Sequence, residues 1–271
     1  MARVRYVKDL AASASRPARP ARHTVRSLRA VYETEREIAA AVLPRPLVPA
    51  ASPEIFVQFA SVTMHLGDDR TVHVGAATVG VACSHEGRAG YYVLAMPMEG
   101  EQIVIAGREK YGEPKKLAET RFTLEGDRVN AEVSRHGTTF LELGGRIGAE
   151  SPSPRRFTEL FYCYKALPAC QPELSENGGF DGDVLLTRLT WERDYASVRM
   201  IEDGRIVLRE SPFDPLADVP VKRIVRMEFA EGTTRTSGEV VCRVPGEWLA
   251  PFLVQRYDEA HEGVEIAIGA P

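Results

Sequence analysis

A lysine that follows proline in a charged, turn-forming segment is the residue in this chain best equipped for covalent chemistry. In Gly107-Arg108-Glu109-Lys110-Tyr111-Gly112-Glu113-Pro114-Lys115-Lys116-Leu117-Ala118, charges of both signs surround Gly112 and Pro114. Pro114 fixes its own φ and gives up a backbone donor, so Lys115 leaves a constrained turn. A primary amine held this way, next to the apolar run Ile103 to Ala106, can add to a carbonyl and form an imine, provided it is neutral. An ordinary lysine, with a pKa of about 10.4, is almost wholly protonated at neutral pH. Desolvation in an apolar pocket, which can shift a lysine by as much as roughly 3 to 5 units, and repulsion from a nearby cation both free the lone pair. Lys116 offers that cation only if the two side chains share a face, and successive residues on a strand do not. Desolvation is therefore expected to dominate. Taken alone, a lysine pair after proline also suits a solvated loop.

The same segment carries a family resemblance. The run GREKYGEPKKLA resembles the active-site segment of acetoacetate decarboxylase and its superfamily, in which Gly-Arg-Glu is followed at fixed distance by Pro-Lys-Lys-Leu. Tyr32, Thr34 and Leu43-Pro44-Arg45-Pro46-Leu47 resemble the family's N-terminal helix and its Pro-x-Pro-Leu exit, and Asp218 to Val225 resembles a late family segment. The similarity covers roughly residues 30 to 250 and is strongest at 107 to 118. It implies that Lys115 is the imine-forming lysine and Lys116 its cationic neighbour, that no cofactor is needed, and that the fold is a cone-like barrel of antiparallel strands assembled into homo-oligomers.

The resemblance also has gaps. The family uses two glutamates on strands before the lysine; aligned back from Lys115, Ala76 stands at one of these positions and the other falls near Gln58. For the family's N-terminal pocket arginine, Arg26 and Arg29 are candidates. A pocket without the two carboxylates is less acidic and suits a substrate carboxylate that stays attached. In this the chain resembles superfamily members that keep the lysine without decarboxylating and use the imine for aldol condensation and dehydration of pyruvate-like 2-oxo acids. The expected function is thus a Schiff-base lyase acting on a small 2-oxo acid. The alternatives are decarboxylation of acetoacetate or another 3-oxo acid, and an idle relative that only binds a small acid.

Under the leading reading Arg108 orients the substrate carboxylate through its planar fork of donors, or else pairs with Glu109 or Glu113. Gln58 donates to a substrate oxygen or faces a neighbouring strand. Glu113 is an acid/base beside the lysine or a turn residue in water. Tyr92 lines the pocket or, like most buried tyrosines, packs in the core.

The elements that must position these residues read mainly as antiparallel strands, an α+β chain forming a closed cone-like β-barrel or a double sheet with a few helices. Ile55 to Met64, Thr71 to Cys83, Tyr91 to Met98 and Gln102 to Ala106 are rich in Val, Thr, Ile and Phe, the last two joined as a hairpin through Glu99-Gly100-Glu101. Arg121 to Leu124, Arg128 to Ser134 and Thr138 to Leu143 form a meander, and Phe157 to Leu167, Val184 to Trp191, Ser197 to Ile201, Arg205 to Glu210 and Arg223 to Phe229 add strands, with Gly204 at a turn. Helices are expected over Tyr32 to Val42, ending before Pro44, and over Gly246 to His261, where Trp248, Leu249, Phe252, Leu253 and Tyr257 recur at helical spacing. Closure would remove the edges that so many strands expose.

Composition narrows the classes. At 271 residues with 44% hydrophobic and 27% charged residues, the chain has ordinary globular usage, and no run approaches the roughly 18 apolar residues of a spanning helix. The first thirty residues hold eight Lys and Arg against Asp9 alone, so residues 1–29 read as a basic arm and 30–271 as one domain. A solvated or subunit-packing arm is preferred to a nucleic-acid or membrane contact. Cys83, Cys163, Cys170 and Cys242 form no CxxC, and the six histidines lack HxxxH and HExxH spacing, so no metal is expected. No apolar signal-peptide core is present, and the cytoplasm is the expected location.

Overall fold

The structure, a computed structural model, describes residues 6–7, 23–65, 71–253 and 256. In chain order it consists of β1 (His23–Glu33), α1 (Arg36–Ala41), β2 (Val48–Pro49), β3 (Glu54–His65), β4 (Thr71–His85), β5 (Arg88–Met98), α2 (Glu101–Tyr111), β6 (Lys115–Leu117), β7 (Glu119–Glu125), β8 (Arg128–Arg135), β9 (Thr138–Glu150), β10 (Arg156–Lys165), β11 (Val184–Leu208) and β12 (Arg223–Val244). Seven strands follow the order β10-β5-β4-β3-β1-β12-β11, and β10 pairs with both β5 and β11, so the sheet curves into a ring. The β10–β5 contact is parallel, whereas β10–β11 is antiparallel. The 25-residue β11 pairs with β12 along one edge and serves two ladders along the other. Its first half pairs with β10, and its second half pairs with β9, which carries β8 and β7 outward.

Both faces are buried along the middles of β1, β3 and β4, which is why their hydrophobic alternation is only partial. Leu28, Ala30 and Tyr32 of β1 join a large cluster with Phe59, Val79, Val133, Phe140 and Leu143. On the opposite face, Val31 packs with Phe56, Val93, Met96, Phe161, Cys163, Leu189 and Trp191. Phe122 of β7 stacks on Phe59 with centroids 5.5 Å apart and lies 6.5 Å from Phe229, so the outer meander is fastened to β3 and β12 by aromatic contact.

The mainly antiparallel reading agrees with this architecture, but several elements differ from expectation. Gln102 to Ala106 lies in the helix α2 rather than in a strand. The hairpin partner it would have supplied has no room, because β5 is paired by β4 on one edge and by β10 and then β6 on the other. Gly100 takes φ 88 and starts the helix instead of a tight hairpin. Tyr32 and Glu33 end β1, leaving only Arg36–Ala41 helical. The three strands read between 184 and 210 are one continuous strand, and Gly204 sits at a register shift between Glu202 and Arg205 rather than at a chain reversal. The second ladder needs that continuity, and β12 likewise runs on from Phe229 to Val244 to pair with β11. The expected C-terminal helix appears as two short 3-10 turns, Gly246–Trp248 and Ala250–Phe252; residues 254–255 and 257–261 lie outside the described residues. Of the basic arm, residues 23–29 belong to β1, while 1–5 and 8–22 are outside the described set. Among the described residues no helix is long and apolar enough to cross a membrane.

The two faces make different demands on single side chains. Phe59 is fully buried, whereas Leu124 of β7 is exposed. Phe59→Ala is expected to cost about 3–5 kcal/mol of unfolding free energy and Leu124→Ala less than about 0.5 kcal/mol, read from urea midpoints.

Candidate active site

Three residues, Gly112, Glu113 and Pro114, turn the chain from α2 into β6 and place Lys115. The helix ends at Gly112, whose φ of 73° is left-handed. A Cβ there would also fall 2.3 Å from the Tyr164 carbonyl oxygen, so the position admits glycine on both counts. The Met96 N–H donates to the Pro114 carbonyl at 3.2 Å, and Lys115 starts a short parallel pairing with β5 opposite Met96. This turn is clamped by side chains from distant parts of the chain. Arg256 donates to the carbonyls of Tyr164 (2.7 Å) and Gly112 (2.9 Å). Thr187 on β11 donates to the carbonyl of Tyr111 at 2.6 Å.

The lysine side chain folds back against the helix. Lys115 is only 9% exposed, and its Nζ lies 2.8 Å from Oε2 of Glu113, itself buried. Gly107 on α2 makes the room, since a Cβ there would sit 2.6 Å from Nζ and 2.2 Å from that carboxylate oxygen. Glu113 is thus positioned to accept a proton from the ammonium group. Cys163 of β10 shares this interior; burial first, and Glu113 second, push its thiol well above the ordinary value, which makes it a neutral packing group rather than a nucleophile.

Lys116 turns the other way, as alternation on a strand requires. Its Nζ donates to the Phe213 carbonyl at 2.6 Å and lies 3.3 Å from Asp214 Oδ1, and Asp214 also takes Arg135 at 2.7 Å. Its charge is therefore engaged by a buried carboxylate that does not touch Lys115. Arg108 donates through Nη1 to the carbonyls of Lys115 (2.9 Å) and Arg256 (3.1 Å), holding the lysine's backbone. Tyr92 belongs to the large core cluster, edge-on to Tyr164 at 5.9 Å. Gln58 is buried and accepts from Arg193 Nη2 at 3.2 Å. Ala76 faces Ala60 and Met98 across its neighbouring strands.

Gln58 leads to a polar cluster that the sequence did not announce. Arg29 is buried in β1, whereas Arg26 is exposed and pairs with Glu231 at 3.1 Å. Arg29 contacts one oxygen of Glu159 on β10 through Nη2 and donates through Nη1 to the Tyr195 hydroxyl at 3.2 Å. Arg193 on β11 donates through Nε to the other Glu159 oxygen at 2.9 Å and through Nη1 to Thr234 at 3.4 Å. Burial opposes the charge on Arg29, but Glu159, Tyr195 and Glu228 outweigh it and hold the guanidinium above its ordinary pKa. Thr234 is also the cross-strand partner of His23, whose pKa is lowered by burial first, then by His65 and Lys115. The sequence offered Arg29 as a candidate pocket arginine and Gln58 as a candidate substrate contact, but for Glu159 and Arg193 it gave only a charge beside an apolar run, Glu159 before Leu160-Phe161 and Arg193 two residues after Trp191.

A ring of mostly antiparallel strands with a buried amine against a carboxylate defines a recognisable class. A family model described as Acetoacetate decarboxylase (ADC) matches residues 10–244, and the chain belongs to that family. The acetoacetate decarboxylase of Burkholderia vietnamiensis is 31% identical over 98 residues, which is 36% of this chain and 38% of that protein. The match thus spans well under half of this curated relative. Acetoacetate decarboxylase from Legionella pneumophila superposes with a TM-score of 0.70 at 17% identity, covering 89% of this chain and 99% of that one. The enduracididine biosynthesis enzyme MppR, complexed with pyruvate, superposes with a TM-score of 0.67 at 14% identity over 83% of this chain and 91% of that one. At these identities the two structures establish the fold.

Gly107→Ala isolates the geometry of the lysine. The added methyl meets the ends of flexible side chains and gains helix propensity, so unfolding free energy should change by less than about 2 kcal/mol. Displacing the amine should slow borohydride-dependent adduct formation with pyruvate by about 100-fold, measured by mass spectrometry. An unchanged rate would show that the packed position of Nζ is unimportant.

Proposed function

We propose that this chain is a Schiff-base enzyme whose Lys115 amine forms an imine with a small 2-oxo acid such as pyruvate and promotes aldol or dehydration chemistry. The observation that carries this reading is the burial of Lys115 Nζ at 2.8 Å from Glu113, which unites desolvation with a proton acceptor. Glu113 takes a proton from the ammonium, and the neutral amine adds to the keto carbon. The proton returns to the hydroxyl of the carbinolamine, and water leaves as the C=N bond forms. The iminium then draws electrons from the adjacent carbon, so that carbon loses a proton and becomes a nucleophile toward an aldehyde, or expels a β-hydroxyl as water.

Retention of the substrate carboxylate is supported by the interior. Ala76 and Gln58 stand where the resemblance places two glutamates, and two buried arginines flank Glu159. The neighbour MppR, bound to pyruvate, adds support for a 2-oxo acid. Homo-oligomer assembly follows from the family resemblance. The second reading, decarboxylation of acetoacetate or another 3-oxo acid, is supported by the family itself and by its decarboxylase relatives.

Borohydride reduction in the presence of pyruvate should leave a stable adduct on Lys115, absent in Lys115→Ala, and deuterium should exchange into the pyruvate methyl group by NMR. Glu113→Gln is expected to slow adduct formation by about 10²- to 10⁴-fold. Release of carbon dioxide from acetoacetate without exchange into pyruvate would establish the second reading. Binding of oxo acids by the folded protein with no adduct from any of them would leave a non-catalytic relative.

A further inference from the structure

The family match ends at residue 244, yet the chain beyond it returns to the turn that carries Lys115. Just after β12 the Gly246 N–H donates to the Asn177 side chain at 2.8 Å, and a Cβ on Gly246 would fall 2.0 Å from the Asn177 carbonyl oxygen. The segment is therefore seated closely from its start. Leu249 is fully withdrawn into the large core cluster. The Arg256 N–H donates to the Leu253 carbonyl at 2.8 Å, and the Arg256 side chain is buried at 9% exposure.

The buried guanidinium is given to backbone. Nη1 donates to the Tyr164 carbonyl at 2.7 Å and Nη2 to the Gly112 carbonyl at 2.9 Å, while Nε is buried without a hydrogen-bond partner among the described residues. Gly112 closes α2, and a cation suits the negative end of a helix dipole. The Gly112 carbonyl belongs to the same peptide unit as the Glu113 N–H, which donates to Gly107 at 3.4 Å. Holding that peptide from both sides fixes where Glu113 begins, and its carboxylate lies 2.8 Å from Lys115 Nζ. Arg108 completes the circuit, since its Nη1 is shared between the carbonyls of Lys115 (2.9 Å) and Arg256 (3.1 Å). Burial first and Glu113 second raise the Cys163 thiol, while Arg256 and Lys115 act against them, so the three charges face a common interior.

We infer that Arg256 is a positioning residue for the imine chemistry: from beyond the family match it fixes the Gly112 peptide and thereby holds Glu113 against the Lys115 amine. This rests on the imine reading above and adds to it a group that acts through the turn and not on the substrate. The two-pronged geometry matters, because a planar guanidinium serves two carbonyls at once and an ammonium is a single point charge.

The test measures the rate of borohydride-dependent adduct formation with pyruvate on Lys115 in the full chain, by mass spectrometry. Arg256→Ala is expected to slow it about 10- to 100-fold, as a displaced reacting group does. Added guanidinium ion, at concentrations far below those that unfold the protein, is expected to restore several-fold of the lost rate and to leave the unaltered protein unaffected. A role confined to folding predicts the reverse, since guanidinium weakens a folded state. A folded Arg256→Ala that traps pyruvate at the unaltered rate overturns the inference, as does a loss that guanidinium does not reverse. If Arg256→Ala fails to fold by its thermal transition, Arg256→Lys decides: a several-fold slower rate at an unchanged transition supports the inference, and an unaltered rate overturns it. No adduct in the unaltered protein would sink the imine reading, and this role with it.

Discussion

An ammonium and a carboxylate held together away from water, Lys115 against Glu113, set the terms for the rest of the molecule. Removing two such charges from solvent is expensive, and only close contact plus fixed geometry offsets the cost. The fold supplies both. The lysine leaves a turn closed by a left-handed glycine whose carbonyl Arg256 holds, its own carbonyl is held by Arg108, and a second glycine lets the helix pass against the pair. A ring of strands is a fitting container, since packed side chains fill one of its faces while the outer meander packs against the other.

The lysine was legible because its signal is local: proline, glycine and charge in a fixed order over twelve residues. Most strands were legible too, from their β-branched content. What failed did so for a tertiary reason. Ile103-Val104-Ile105 has strand propensity, yet the edge it would need on β5 is taken by β10 and β6, so the segment became the helix that presents Gly107. The arginine cluster was hidden for a different reason. Glu159, Arg193 and Arg29 come from three strands, and nothing in any one strand states that the other two will face it. Lys116 lay between these cases, since strand alternation already argued against a shared face, and the structure gives its charge to Asp214.

The distribution of interior charge then bears on the reaction. Where the resemblance places glutamates, this chain has Gln58 and Ala76, but the ring is not stripped of acid; Glu159 enters from β10 and brings Arg193 beside it. The exchange trades carboxylates for a network in which cations outnumber the anion they share. An interior of that sign favours a bound anion over a bound cation.

A carboxylate paired with arginine is a poor leaving group, and this separates the two chemistries on a common scaffold. Losing carbon dioxide discharges the carboxylate on the way to the transition state, so a guanidinium that binds it well stabilises the starting imine more than the transition state. Aldol and dehydration steps leave that charge in place from substrate to product. The same contact then binds both states alike, lowering the substrate concentration needed without opposing the reaction. A decarboxylase should accordingly surround the departing group with apolar or anionic neighbours, whereas an enzyme that keeps the group should hold it with arginine. Arg29 and Arg193, buried in one ring with their shared acid on a neighbouring strand, are what the proposal of retention draws on.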